Sequence, residues 1–521
     1  MQPVSDNCNV VRDGACACRD RAHRCAACVL ALSVLLVAPS RQIAAQENAV
    51  IWSEPTNISN TLTLSTHPAV VSDSLGYVHV FWSEEVGGPV GDRGDMIGTG
   101  NTILYTRWDG TSWSEPVDVL FVPNEAIAEF VAVDVGPDSR LHVVWTGQSN
   151  FYYAQAPSWE ADSARAWSQP MAVAADSART QWESDVAADS TGAVHIVYAT
   201  QGDLAGIYHI RSRDGGVSWD TAQRVSEPLG LLETAYANVR TIVDDADRIH
   251  IVYQTTQAQG FGQAVYYVRS DDGGVSWSQP EQLGYRDPGD FDASYPYLLD
   301  AGNGQLHLVY LDGPNVGRSY RISHDGGETW SEPQDIISEM EGVNGFIIPL
   351  VDGAGQLHLV VNMRTRATQV VGIYYTRFLG NDWAPVRPVD TSSVAAPSAH
   401  YTAAAVRLGN ELHVVYDDIG RGDIWHVQGI ITAVEPDPTV VPETPMPAQT
   451  EEASRTPATD ALTLTTTPRP EVGATEGSPS ELPTENSSAE SPVAVLAPVA
   501  AVVVLVLAAV FVMIRRRRLG P

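Results

Sequence analysis

Aromatic side chains, arginines and carboxylates recur in this chain of 521 residues at positions flanking short apolar runs. Glu129, Trp182, Glu183, Tyr236, Arg240, Asp292, Tyr295 and Tyr401 stand ahead of such runs, and Arg318 and Arg364 follow them. These residue types suit a sugar: rings stack on aromatic faces, and a forked guanidinium grips an anionic substituent. Glu129, Glu183, Asp292 and Tyr295 are therefore candidate catalytic groups. Arg240, Arg318, Arg364, Trp182, Tyr236 and Tyr401 are candidate ligand contacts. His67, Asn238, Tyr297, Asn344 and His400 belong to the same set. The same side chains also serve to solvate a loop face, so their types alone leave binding and hydrolysis open.

Two motifs in register show what must position them. Val-His-Val-Phe-Trp at 78–82 recurs with variation as Leu/Val/Ile-His-hydrophobic pairs around His142, His195, His250, His307, His358 and His413. Successive histidines, counted from His79, lie 63, 53, 55, 57, 51 and 55 residues apart. A period in that range marks a repeat architecture whose units bury their apolar faces against one another. Within residues 295–336, four short runs separated by Gly- and Asn-rich turns read as four antiparallel strands. Repeated four-stranded units describe propeller blades. Trp52, Trp113, Trp167, Trp219, Trp277, Trp330 and Trp383 count seven of them, each tryptophan expected on a fourth strand. The first unit has only its fourth strand and the last unit lacks one. The fold class expected is therefore all-β, a seven-bladed β-propeller closed by the N-terminal strand on the last blade.

The second motif is Ser-x-Asp-x-Gly-x-Ser/Thr-Trp, at Ser212–Trp219, Ser270–Trp277 and Ser323–Trp330. It resembles the Asp-box (BNR) repeat of the sialidase superfamily, over roughly residues 50–430. Trp108–Trp113, Ser158–Trp167 and Phe378–Trp383 are shorter or degenerate copies. The resemblance implies that Asp214, Trp219, Asp272, Trp277, Asp325 and Trp330 are structural and lie on the face opposite the functional loops. It also implies what an enzyme of that superfamily uses: three arginines around a carboxylate, a Tyr–Glu pair and an acid/base Asp, the Tyr nucleophile being unusual among glycosidases. The family's first arginine sits in a Phe/Tyr-Arg-Ile-Pro motif, whereas Ser65-Thr66-His67-Pro68-Ala69-Val70 carries none. Tyr320-Arg321-Ile322-Ser323 has the motif's look but falls on a third strand. The family's enzymes usually have six blades. The expectation is a binding module for a glycan or surface protein, with glycoside hydrolysis as the alternative, since one fold hosts both.

The flanks speak to location. Arg12, Arg19, Arg21 and Arg24 precede an apolar stretch, and residues 1–45 read as a secretory signal. All five cysteines fall inside it, which leaves the propeller region 46–434 without thiols for disulfides or a Cys–metal site. Residues 435–492, rich in Pro, Thr, Glu and Ser, read as a disordered stalk. Residues 493–514 form an apolar run long enough to cross a bilayer as a transmembrane helix, and 515–521 begin with four arginines that mark the cytoplasmic side. Lysine is absent; 31 arginines face 63 acidic residues for a formal charge of −32. Such a surface disfavours nucleic acid and anionic lipid headgroups. No cofactor or metal is expected: the seven histidines sit one per blade, too dispersed to share an ion. Arg93-Gly94-Asp95 reads as a loop turn, and Asn57-Ile58-Ser59 as an acceptor sequon within the closing strand.

Overall fold

The computed structural model describes residues 50–85, 102–122, 128–173, 180–230, 233–257, 262–285, 293–312, 317–341, 346–380, 382–391, 399–418 and 420–438. The fold is an all-β propeller of seven antiparallel sheets. Blade 1 runs through Leu64–Ser72, Val78–Glu85, Thr102–Trp108 and Val117–Phe121, and blades 2 to 6 repeat that order. Blade 7 takes Ala399–Arg407, Glu411–Asp418 and Asp423–Ile431 from the end of the described region. Val50–Trp52 and Thr56–Asn57 pair on its last strand, with Val50 opposite Ile431 and Trp52 opposite Gly429. Among the described residues no helix is long and apolar enough to cross a membrane. The leader 1–45, most of the stalk and the apolar run 493–514 lie outside the described residues.

The second strand of each blade is buried on both faces, which is why its sequence is a continuous β-branched and aromatic run rather than an alternating one. Apolar clusters fill the gaps between neighbouring sheets, such as Phe81, Leu141, Val143 and Trp145 between blades 1 and 2. Each recurring histidine is buried and uses Nδ1 to reach a third-strand partner in its own blade. The partner is a tyrosine hydroxyl for His79, His142, His250, His307 and His358, at 2.7 to 2.8 Å. For His195 and His413 it is Nε2 of His209 and His426, at 3.0 Å. On the other side, Nε2 of His79, His250 and His358 meets Asp73, Asp244 and Asp352 at 3.1 to 3.2 Å. The histidines are ties within blades, as their even distribution suggests.

Trp52 lies on an outer strand as expected, but the tryptophans of the Asp turns do not. Trp219, Trp277 and Trp330 precede the outer strands, which begin at Gln223, Glu281 and Gln334. Outer strands are short because the indole leaves the sheet to cover the preceding blade. Trp219 meets Tyr153 edge-on at 5.0 Å, Trp277 meets His209 at 4.9 Å, and Trp330 meets Tyr267 at 5.1 Å. Each indole thus caps the histidine-bound ring of its neighbour, joining one blade to the next.

The Asp turns hold those indoles in place. Asp272 Oδ1 accepts from Ser270 Oγ and from the amides of Val275 and Ser276, and Oδ2 accepts from Ser276 Oγ. Asp214 and Asp325 repeat the pattern. Bonds to the ionised form hold all three carboxyls down to about 2. Asp272→Ala removes acceptors for two backbone amides and two hydroxyls, and should cost about 1–2 kcal/mol, as loss of a side-chain cap does. Urea denaturation of the variant checks it.

Candidate functional site

The site is built where the inner strands of all seven blades begin. In five blades the pairing of inner and second strand slips near that end, between Thr66 and Ala69, Glu129 and Ala132, Ala237 and Arg240, Ser294 and Tyr297, and Ala399 and Thr402. Blade 3 slips between Thr180 and Ser184. A β-bulge adds a residue to one strand and re-aims a side chain at a rim. Here the re-aimed residues His67, Phe130, Asn238 and Tyr295 have φ of 54°, 51°, 48° and 49°. For Phe and Tyr this left-handed backbone is strained, at about 1–3 kcal/mol each, and persists only where surrounding contacts hold it.

Second-strand side chains supply that hold. Asp417, 1% exposed, accepts from the Tyr401 amide at 2.6 Å and from the His67 amide at 3.4 Å. Gln254 Oε1 accepts from the Tyr295 amide at 2.7 Å and from Asn238 Nδ2 at 2.6 Å. Each acceptor bridges the inner strands of two adjacent blades.

The result is two stacked rings of residues, one from each blade. Among the described side chains the outer ring holds His67, Phe130, Asn238, Tyr295, Phe346 and Tyr401, each twelve residues before its blade's recurring histidine. The ring below, two residues further along, holds Ala69, Ala132, Asp185, Arg240, Tyr297, Ile348 and Ala403. All seven of the lower ring, with His67, Phe130, Phe346 and Tyr401 of the outer one, line a cavity of about 220 Å³. That is below the ~300–1,000 Å³ of drug-sized pockets, so it suits one small ring rather than an extended chain.

The two sides of the cavity differ chemically. One side is an aromatic arc: His67 lies 4.3 Å from Phe130 and 4.0 Å from Tyr401, Phe346 lies 5.1 Å from Tyr401, and Tyr295 lies 5.6 Å from Phe346. Alanines 69, 132 and 403 sit beneath much of this arc. The other side is polar. Arg240 lies with Cζ 5.2 Å from the Tyr297 ring centre and gives a 3.0 Å hydrogen bond to the Val239 carbonyl. Asp185 Oδ2 accepts from the Thr241 amide at 2.8 Å. Burial pushes the Asp185 carboxyl up, against the pull of Arg240. Asp134, one blade over, accepts from the Ala188 amide at 2.8 Å and is pushed up to about 6 by burial. Ser184, 2% exposed, lines the same wall, and its hydroxyl has no hydrogen-bond partner among the described residues.

Of the residues singled out from sequence, Arg240, Tyr401, His67 and Tyr297 line the cavity, and Tyr295 extends its arc. Glu129 sits beside Phe130 on the blade 2 inner strand, outside the lining. Tyr236 is not an exposed contact: it is 1% exposed, donates to the Glu227 carbonyl and packs on Tyr253. Arg318 is likewise 1% exposed, on the third strand of blade 5, because that strand is sandwiched between its second and outer strands. Arg364 is exposed near the end of the blade 6 second strand. Of these three arginines, Arg240 alone lines the cavity. Asp292 and Asn344 lie outside the described residues, as do the side chains of Trp182, Glu183 and His400. Phe130, Phe346, Ser184 and Asp185 went unrecognised in sequence; their fixed offset from the recurring histidines was the available signal.

No protein-family model matches the chain. No curated protein matches it either. Solved structures do. A Dyadobacter fermentans protein of unknown function is 16% identical, with 73% of this chain and 99% of that one covered, at a TM-score of 0.48. A Hadza microbial sialidase is 14% identical, covering 71% and 66%, at 0.41. The NanB sialidase of Streptococcus pneumoniae is 13% identical, covering 73% and 70%, at 0.40.

Proposed function

We propose that this chain is a sialidase-like Asp-box propeller that binds a glycan in the cavity at its mouth. Val50–Trp52 closes its ring on the last blade. Export is directed by residues 1–45, and the propeller is held at the cell surface by the stalk 435–492 and one membrane span, 493–514. The observation that carries the binding reading is the two-sided cavity: an aromatic arc faces Arg240, Asp185 and Ser184 across about 220 Å³. A pyranose has an apolar face and a polar edge, and such a cavity meets both at once. Tyr401 stands in the middle of the arc. Tyr401→Ala should weaken binding of a glycan-array hit about tenfold or more, as expected for one stacked aromatic. Its unfolding midpoint should move far less than its affinity. Wild-type affinity in the variant would remove the arc from the reading.

Glycoside hydrolysis is a second reading, favoured by the one observation that burial raises a carboxyl, Asp185, in the cavity wall. Against it, Arg318 and Arg364 stand elsewhere. Turnover of any fluorogenic glycoside by the full-length chain, lost in Asp185→Asn, would establish it.

A further inference from the structure

We infer that the mouth cavity selects an uncharged sugar ring and rejects the carboxylated counterpart of that ring. This rests on the glycan reading above and names its substrate class. Among the described residues lining the cavity, Arg240 is the one arginine. It stands one blade from Asp185 at the same ring level, and the two attract each other. Its Nη1 also donates to the Val239 carbonyl, and its plane lies near the Tyr297 ring.

The inventory of donors and acceptors decides which substituent fits. A sugar hydroxyl both donates and accepts, so it can give to Asp185 while a neighbouring hydroxyl accepts from Arg240. Ser184 adds a buried hydroxyl of the same dual character, without a partner among the described residues. A carboxylate only accepts. Placed here it could take donors from Arg240 and Ser184, but it would bring a second negative charge against Asp185, in a wall already shielded from water. The formal charge of −32 on the chain adds long-range repulsion of the same sign.

Matched pairs of methyl glycosides test this, because methyl glucoside and methyl glucuronide differ only in the oxidation of one carbon, as do the galactoside and galacturonide. Calorimetric titration of the full-length chain at low salt should find the neutral member of the preferred pair at least about tenfold tighter, since like-charge juxtaposition is costly. Asp185→Asn keeps an oxygen for the Thr241 amide and should bring that ratio towards one by improving the acid. Added sodium chloride should narrow the ratio in the wild type. A uronide that binds as tightly as its neutral partner, or a ratio unmoved by Asp185→Asn, overturns the selectivity. Should that variant fail to fold, a wild-type ratio insensitive to salt overturns it as well. If no glycoside of either kind binds, the glycan reading itself falls, which is a distinguishable result.

Discussion

Gly327→Ala is expected to destabilise the propeller by about 3 kcal/mol, the upper end of the range for forcing extra volume into a packed site. Gly327 has φ of 79°, and a Cβ built there would stand 1.7 Å from the Tyr267 hydroxyl. That hydroxyl is bonded to His250 at 2.7 Å, and the same ring meets Trp330 at 5.1 Å. The methyl can be accommodated only by moving the ring, which breaks the tie inside blade 4 and its cap from blade 5 together. Gly302 is the control. It has nearly the same φ, 82°, but nothing lies within 4 Å of its would-be Cβ. Gly302→Ala should cost only about 1 kcal/mol, the backbone contribution alone. Urea melts of the two variants separate packing from conformation; equal losses would mean that the approach of the turn to Tyr267 is not tight.

Acid should unfold the propeller well before the pH at which carboxylates alone would do so. His142 and His307 are held down to about 4 by burial, and burial also lowers His209 and His426. The unfolded chain takes up these protons near pH 6.5 while the folded one refuses them. Stability is therefore full above pH 6.5 and falls as pH drops towards 4, by on the order of 3 kcal/mol for each of His142 and His307. Glu411, held down to about 2 by His413 and Arg407 against its own burial, adds a further loss below pH 4. Asp134 works the other way: raised to about 6 by burial, it favours folding more as pH falls from 6 to 4. Burial also raises Asp118, Asp185, Glu281 and Asp300, so among the described residues five carboxyls of that sign stand against six lowered histidines, His79 and His413 being the other two. Urea midpoints at pH 7 and pH 4.5 test the sum, and a midpoint constant across that window would contradict it. His142→Gln should flatten part of the slope.

The blade count was legible because each repeat carries its own strong signals. The histidine sits mid-strand in an apolar run, and turns such as Asp325-Gly326-Gly327 can adopt few conformations. The indoles were misplaced because their partner lies in a different blade, at a sequence distance no local pattern reports: Trp219 meets Tyr153. The cavity was half legible. Arg240, His67 and Tyr401 stood out by type. Phe130 and Phe346 were missed, since nothing local announces a bulge that turns a side chain from the sheet towards the axis. Tyr236 and Arg318 erred in the opposite sense, being polar types that the packing between and within blades encloses.

Because every member of the outer ring hangs from a separate sheet, one can be exchanged without disturbing the strands that carry the others. Replacing Phe346 would redecorate one seat at the table and leave the frame beneath it standing, so what the mouth recognises can be altered through a handful of point changes.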